Sequence, residues 1–229
     1  MWRLIFFITG LSFLITGLSF LLVQSARAES ETPPTLQINQ FEDGRDYFSY
    51  EEPLAIPTRA DHKILLQFFF DYDCRVCSVV QDILNLYSQI NRDNVVLIET
   101  PVATAKANLT ANIFYALQAM NAENVSDLLL FESSEKHRYT QLSRFSNLLK
   151  WLQEQQIDTE QFRKLYHSAG VRLQVRDAIQ LTEDYGVFTY PYLIVEGKYV
   201  LTASTLYNDD YSFAVLDFLI NKILQEKKQ

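Results

Sequence analysis

A chain of 229 residues exceeds one minimal domain and fits either one medium domain or a domain carrying a large insertion. With 48% hydrophobic and 14% aromatic residues it can build a packed core, which excludes general disorder and leaves only residues 29–39 and 225–229 with a disordered composition. Its 20 basic and 28 acidic side chains give a formal charge of −8, which speaks against nucleic acid as a partner and favours solubility.

Met1–Ala28 reads as an export leader: Arg3 supplies a short positive region, Leu4–Val23 is an uncharged apolar run, and Ala26-Arg27-Ala28 is an A-x-A cleavage pattern. The run holds a tandem repeat, Ile8–Leu14 and Ile15–Leu21, both Ile-Thr-Gly-Leu-Ser-Phe-Leu. Its length would also span a bilayer, so residues 4–23 read as a cleaved signal or as an uncleaved inner-membrane anchor. Either way the body lies outside the cytoplasm, where disulfides persist. Cleavage would remove Arg3 and Arg27 and no acid, taking the formal charge from −8 to −10.

Glu29–Thr35, with Pro33-Pro34, reads as a flexible lead-in. A turn at Asp43-Gly44 precedes a short strand around Tyr47, which Pro53 and Pro57 end. Lys63–Phe70 is an apolar run interrupted only by Gln67, the pattern of a strand buried on both faces. It runs into Asp71-Tyr72-Asp73-Cys74-Arg75-Val76-Cys77, which holds the chain's only two cysteines. Beyond it Val80, Ile83, Leu84, Tyr87 and Ile90 fall at helical spacing, so a helix to about Asn91 carries Cys74 at its N-terminus. Val95–Ile98 reads as a second buried strand, completing a βαβ unit.

Between Ala103 and Tyr185 the apolar periodicity is helical, with breaks near Asn121, Ser133-Ser134, Ile157-Asp158 and Gly170, and with Asp158 or Thr159 as an N-cap. Four or five helices are expected; His137 and His167 read as surface residues and Trp151 as core. Gly186 is a helix-ending residue, and Tyr192–Val195, a Glu196-Gly197 turn and Lys198–Leu201 form a hairpin. Tyr211–Gln225 is an amphipathic helix with Asp209 or Asp210 near its start and Lys227-Lys228 at its end. The chain thus divides into a leader (1–28), a first sheet-forming part (36–102), a helical insertion with connecting helix (103–185) and a second sheet-forming part (186–229).

Two thiols three positions apart at a strand-to-helix junction suit reversible dithiol/disulfide chemistry. As a structural staple the pair is poor, because so small a ring constrains the unfolded chain by only about 2 kcal/mol. As a metal site it lacks further ligands: His62, His137 and His167 have no paired spacing, so neither a metal nor a cofactor is expected.

Three segments resemble, in order and spacing, the DsbA family of bacterial periplasmic thiol:disulfide oxidoreductases. They are Phe41-Glu42-Asp43-Gly44-Arg45-Asp46-Tyr47, Phe69-Phe70 with the cysteine segment, and Tyr190-Pro191-Tyr192-Leu193-Ile194-Val195-Glu196-Gly197-Lys198-Tyr199, with Pro191 standing 114 positions after Cys77. The resemblance implies an α/β thioredoxin-like fold with an inserted all-helical subdomain, an exposed nucleophilic Cys74, a more buried resolving Cys77 and a cis Pro191 beside them. It further implies reduced exported proteins as clients and a quinone-linked membrane partner similar to DsbB for reoxidation. Alternatives on the same fold are a disulfide reductase or isomerase and a non-catalytic client-binding module.

The residues also depart from that family. Its usual Pro-His between the cysteines is replaced by Arg75-Val76, so a histidine is lost and a permanent positive charge gained. Asp71 and Asp73 act against a thiolate at Cys74, and Asp73 could compete as an N-cap for the same N–H groups. A less acidic Cys74 and a weaker oxidant than the family's best-known member are therefore expected. Phe68 stands where the family often buries an acid, with Glu99 on the next strand as either its substitute or a solvated strand end. Tyr190, where smaller residues are common, is expected to narrow the client groove while its backbone pairs with an extended client.

Overall fold

The structure, a computed structural model, describes residues 41–56 and 59–227. The leader and lead-in, Pro57 and Lys228 lie outside the described residues. Ile64–Phe70 forms strand β2, buried at every position. Such a strand needs neighbours on both edges and cover on both faces. It pairs in parallel with β3 (Val95–Pro101) and antiparallel with β4 (Tyr192–Val195). Strand β4 pairs with β5 (Tyr199–Thr202), and β5 with the short β1 (Phe48–Ser49), giving the order β1-β5-β4-β2-β3. Glu196 and Gly197, at φ of +50° and +66°, make the β4–β5 turn. Strand β3 runs on past Ile98, because Glu99, Thr100 and Pro101 stay in register with Phe68, Phe69 and Phe70. Gln67 is tolerated inside β2 because its amide donates to Thr100 Oγ1 at 3.3 Å.

Helix α1 (Cys77–Ile90) follows β2. Between β3 and β4 lie α2 (Leu109–Gln118), α3 (Glu123–Ser133), α4 (Arg138–Leu142), α5 (Phe145–Glu154), α6 (Thr159–Tyr166) and α7 (Ala169–Asp184). These are six helices rather than four or five; α4, five residues long and entered through His137 at φ +68°, is too short to leave a periodicity. Gly170 lies inside α7. The break falls at His167–Ser168, because the Ser168 hydroxyl accepts the Val171 N–H at 3.2 Å and caps the helix. Asp158 caps α6 by accepting the N–H groups of Glu160 and Gln161 at 3.0 Å. Helix α8 (Asp209–Glu226) starts two residues earlier than Tyr211, capped by Asn208.

One face of the sheet presents Ile64, Leu66, Phe68 and Phe70 to a core shared with Val80 and Leu84 of α1 and Leu216 and Leu219 of α8, continuous with the insertion. The other face packs Phe69, Ile194 and Val200 against Tyr185 and Val187, just beyond α7. This is the thioredoxin-like α/β fold with an inserted helical subdomain. Among the described residues no helix is long and apolar enough to cross a membrane.

Candidate active site

The β2 strand ends at Phe70, and the next four residues close a tight turn. Asp71 Oδ1 accepts the Asp73 N–H at 2.8 Å, and the Asp71 carbonyl accepts the Cys74 N–H at 3.0 Å. Cys74 and Cys77 are joined as a disulfide with their Cα atoms 5.4 Å apart. The first helical residue is Cys77, with Val76 at the N-cap, so Cys74 precedes α1 instead of opening it. The Asp71 turn accounts for the shift, since it holds residues 71–74 out of helical geometry. No side chain caps α1, and Asp73 therefore does not compete for its first N–H groups as the sequence suggested. Those groups and the positive end of the helix stay available to a thiolate when the disulfide opens. Cys77 is fully buried and Cys74 only 3% exposed, so the expected exposed Cys74 is not found in the disulfide form.

Pro191 meets this turn through the sheet. Tyr192 is paired with Phe69, and continuing the antiparallel register by one residue sets Pro191 across from Phe70. The Tyr190–Pro191 peptide is cis. Tyr190 is 38% exposed, and its phenol pKa is raised chiefly by burial and further by the charges of Asp71 and Asp73. Tyr139 of α4 is pushed up to about 12 by burial, with Asp71, Asp73 and Tyr190 adding to the effect. The mouth is thus framed by the turn after β2, by the loop before β4 and by the helical insertion. Asp71 itself is raised, first by burial and then by Asp73, against the hydrogen bonds of the Asp73 N–H and Thr110. Arg75 and Val76 are exposed, and Phe188 in the loop before Pro191 is 89% exposed.

Beneath the disulfide the chemistry changes. Phe68 is fully buried, and opposite it on β3 stands Glu99, whose carboxylate accepts from Gln81 Nε2 at 2.9 Å. Gln81 lies one turn after Cys77 on the same face of α1, and its amide also donates to Asp127 Oδ1 of α3 at 2.9 Å. One NH2 group thus serves two carboxylates. Glu99 is pushed up to about 7, mainly by burial, against the Gln81 hydrogen bond and with help from the Asp127 charge. Asp127 is raised as well, first by burial. Glu99 is therefore no solvated strand end. Tyr72 ties the turn to the insertion, its N–H reaching Thr110 Oγ1 at 3.4 Å and its buried hydroxyl Ser126 Oγ at 2.8 Å.

Tyr139, Gln81 and Asp127 escaped the sequence reading. Gln81 had a local signal, a long polar side chain four positions after Cys77 among the mostly apolar inward positions of the helix. Tyr139 and Asp127 had none, because only packing of the insertion brings them to the site.

No protein-family model matches the chain. A Haemophilus influenzae protein described as uncharacterized is 59% identical over 196 residues, covering 86% of this chain and 83% of that one. The thiol:disulfide interchange protein DsbA of Burkholderia cepacia is 24% identical over 186 residues, covering 81% and 86%. That of Azotobacter vinelandii is 25% identical over 197 residues, covering 86% and 88%. The crystal structure of Pseudomonas aeruginosa DsbA superposes with a TM-score of 0.71 at 23% identity, over 82% of this chain and 97% of that one, a likeness that bears on the fold.

Proposed function

We propose that the chain is a DsbA-like thiol:disulfide oxidoreductase that acts outside the cytoplasm as an oxidase, introducing disulfides into exported proteins through Cys74 and Cys77. The observation that carries this reading is the disulfide itself, closed at the β2–α1 junction under the Tyr190–Pro191 loop, with an uncapped helix start behind it.

In the forward reaction a client thiolate attacks Sγ of Cys74, the Cys74–Cys77 bond breaks, and Cys77 leaves as a thiolate that takes up a proton. A second client thiolate then attacks the client sulfur of the mixed disulfide and expels Cys74. Two client thiols become one client disulfide, and the protein pair gains two electrons. Cys74 is assigned as the attacked sulfur on the family resemblance; it keeps 3% exposure, and Cys77 has none. The backbone beside Pro191 pairs with an extended client segment, and the Tyr190 ring narrows the groove that receives it. A quinone-linked membrane partner similar to DsbB removes the electrons, and the leader at residues 1–28 supplies the periplasmic address.

Glu99 tunes the departure of Cys77. Ionised, it would oppose a buried thiolate at Cys77, to whose helix face Gln81 ties it; protonated, it would not. Its pKa near 7 sets that change within the range where exchange operates. Asp71 and Asp73 favour a second reading, a reductase or isomerase, because carboxylates beside Cys74 destabilise its thiolate and hence the reduced pair. The Cys74–Cys77 reduction potential separates the two readings. A value well above thioredoxin's, about −270 mV, together with oxidative refolding of a reduced client, is expected of the oxidase. A value near thioredoxin's with ready insulin reduction would overturn it.

A further inference from the structure

Helix α1 carries an apolar seam on its solvent side as well as its buried one. Val76, Val79, Ile83, Leu86 and Ile90 follow one another at spacings of three, four, three and four, the repeat that keeps a helix seam facing one partner. Four of the five stand open, Val76 at 47%, Val79 at 55%, Leu86 at 48% and Ile90 at 64% exposure, while Ile83 sinks to 8% in the middle. Val80, Leu84 and Tyr87 already supply the face that packs on the sheet, so the core does not require the second seam. An exposed apolar strip of this kind, sunk only at Ile83, marks a place where another surface docks.

The charges beside the seam say what kind of surface. Asp82, exposed, lies three positions after Val79 and four before Leu86 and so borders the strip on one side. On the other side runs α8, where the exposed Asp217 accepts the Tyr87 hydroxyl at 2.7 Å and Phe213 meets the Tyr87 ring at 5.1 Å. The middle of the seam therefore lies between two carboxylates. Arg75 precedes it by one position, and Arg92 follows it by two. We infer that this seam is a docking site for a partner protein's amphipathic helix, one with apolar residues at three-four spacing and Lys or Arg flanking its middle turns.

The seam is continuous with the reactive site, because Val76 stands between the two cysteines. A helix laid on it leads a cysteine at its adjoining end to Cys74. The consequence at Cys74 rests on the exchange reading above; docking does not. A second copy of this chain fits worse, since α1 against α1 would set the Asp82 carboxylates of both copies at one acidic interface and cover Val76. An anionic membrane surface is repelled by the same carboxylates and by the chain's net charge of −8.

The test uses the oxidised protein and two synthetic amphipathic peptides of about 18 residues, with leucines at three-four spacing and either lysines or glutamates in the flanking positions. Cysteine-free peptides read docking alone, by fluorescence anisotropy. The lysine peptide should bind about tenfold or more tightly than the glutamate peptide, and Leu86→Glu with Ile90→Glu should abolish that binding, while Asp82→Lys should weaken it several-fold. A cysteine added at one end of the lysine peptide should exchange about tenfold faster than the same cysteine at the other end. Equal affinity for both peptides would overturn the proposal, and that comparison needs only the wild type, whatever the variants do to folding. So would a wild-type dimer in sedimentation that Leu86→Glu dissolves, or binding to anionic vesicles that the same change removes. Loss of exchange with docking intact would overturn the redox reading and leave the seam standing.

Discussion

The mouth and the underside of the disulfide each carry a pair of carboxylates, and the pairs behave differently. At the mouth, Asp73 is exposed and Asp71 is partly buried, and both act on Tyr139 and Tyr190 across the opening. Underneath, Glu99 and Asp127 share the Gln81 amide, and burial holds Glu99 near 7. Burial, more than charge, moves these carboxyls: it is the first cause of the upward shift at Glu99 and Asp127 underneath and at Asp71 at the mouth. In the exchange proposed above, the mouth would receive the client and the underside would carry the carboxyl that titrates.

The sharpest break in that comparison comes at the sulfurs. Cys74→Ala should reduce oxidation of a dithiol client to background, and a variant that kept full activity would leave only a client-binding module. Next comes Gln81→Leu, which strips the shared donor from Glu99 and Asp127 and should destabilise the fold by about 2–3 kcal/mol in urea unfolding at pH 8.

Glu99→Gln follows, with the opposite sign. The folded carboxyl titrates near 7 against 4.5 for the ordinary group, so the folded state binds its proton more tightly than the unfolded chain does. Stability from this group is complete at low pH and falls as pH rises from about 4.5 to about 7. Removing the charge should therefore stabilise the protein by about 2 kcal/mol at pH 8, and the gain should vanish toward pH 4.5. A pH-independent gain would remove Glu99 from the account.

At the mouth the effects shrink. Asp73→Asn should lower the pKa of the reduced Cys74 thiol by about 0.5, read from thiolate absorbance, and Arg75→Ala should raise it by a similar amount. No downward shift in Asp73→Asn would end the argument for its carboxylate. Tyr190→Ala should change KM for a cysteine peptide about two- to threefold and leave the reduction potential where it was.

Much of this arrangement was legible before folding. The cysteine segment, the buried β2 run and the Glu196-Gly197 turn are local patterns, and each places its element without help from the rest of the chain. Helix starts were harder to read. How Cys74 sits against the start of α1 depends on the Asp71 turn, and whether a break falls at Gly170 or Ser168 depends on which side chain reaches an orphan N–H. Tyr139 could not be read at all: it stands 65 positions after Cys74, on a helix of five residues.

The sequence by itself determined the disulfide's place in the chain, the βαβ unit that holds it, the insertion that follows and the charges written beside Cys74. These are matters of order, spacing and periodicity, which neighbouring residues settle among themselves. Only the tertiary structure decided that Cys74 lies before its helix and is nearly buried, that Glu99 hangs from Gln81 beneath Cys77, and that Tyr139 comes to the mouth. Each of those depends on which distant groups packing brings together, and burial and electrostatic coupling exist only once the chain has packed.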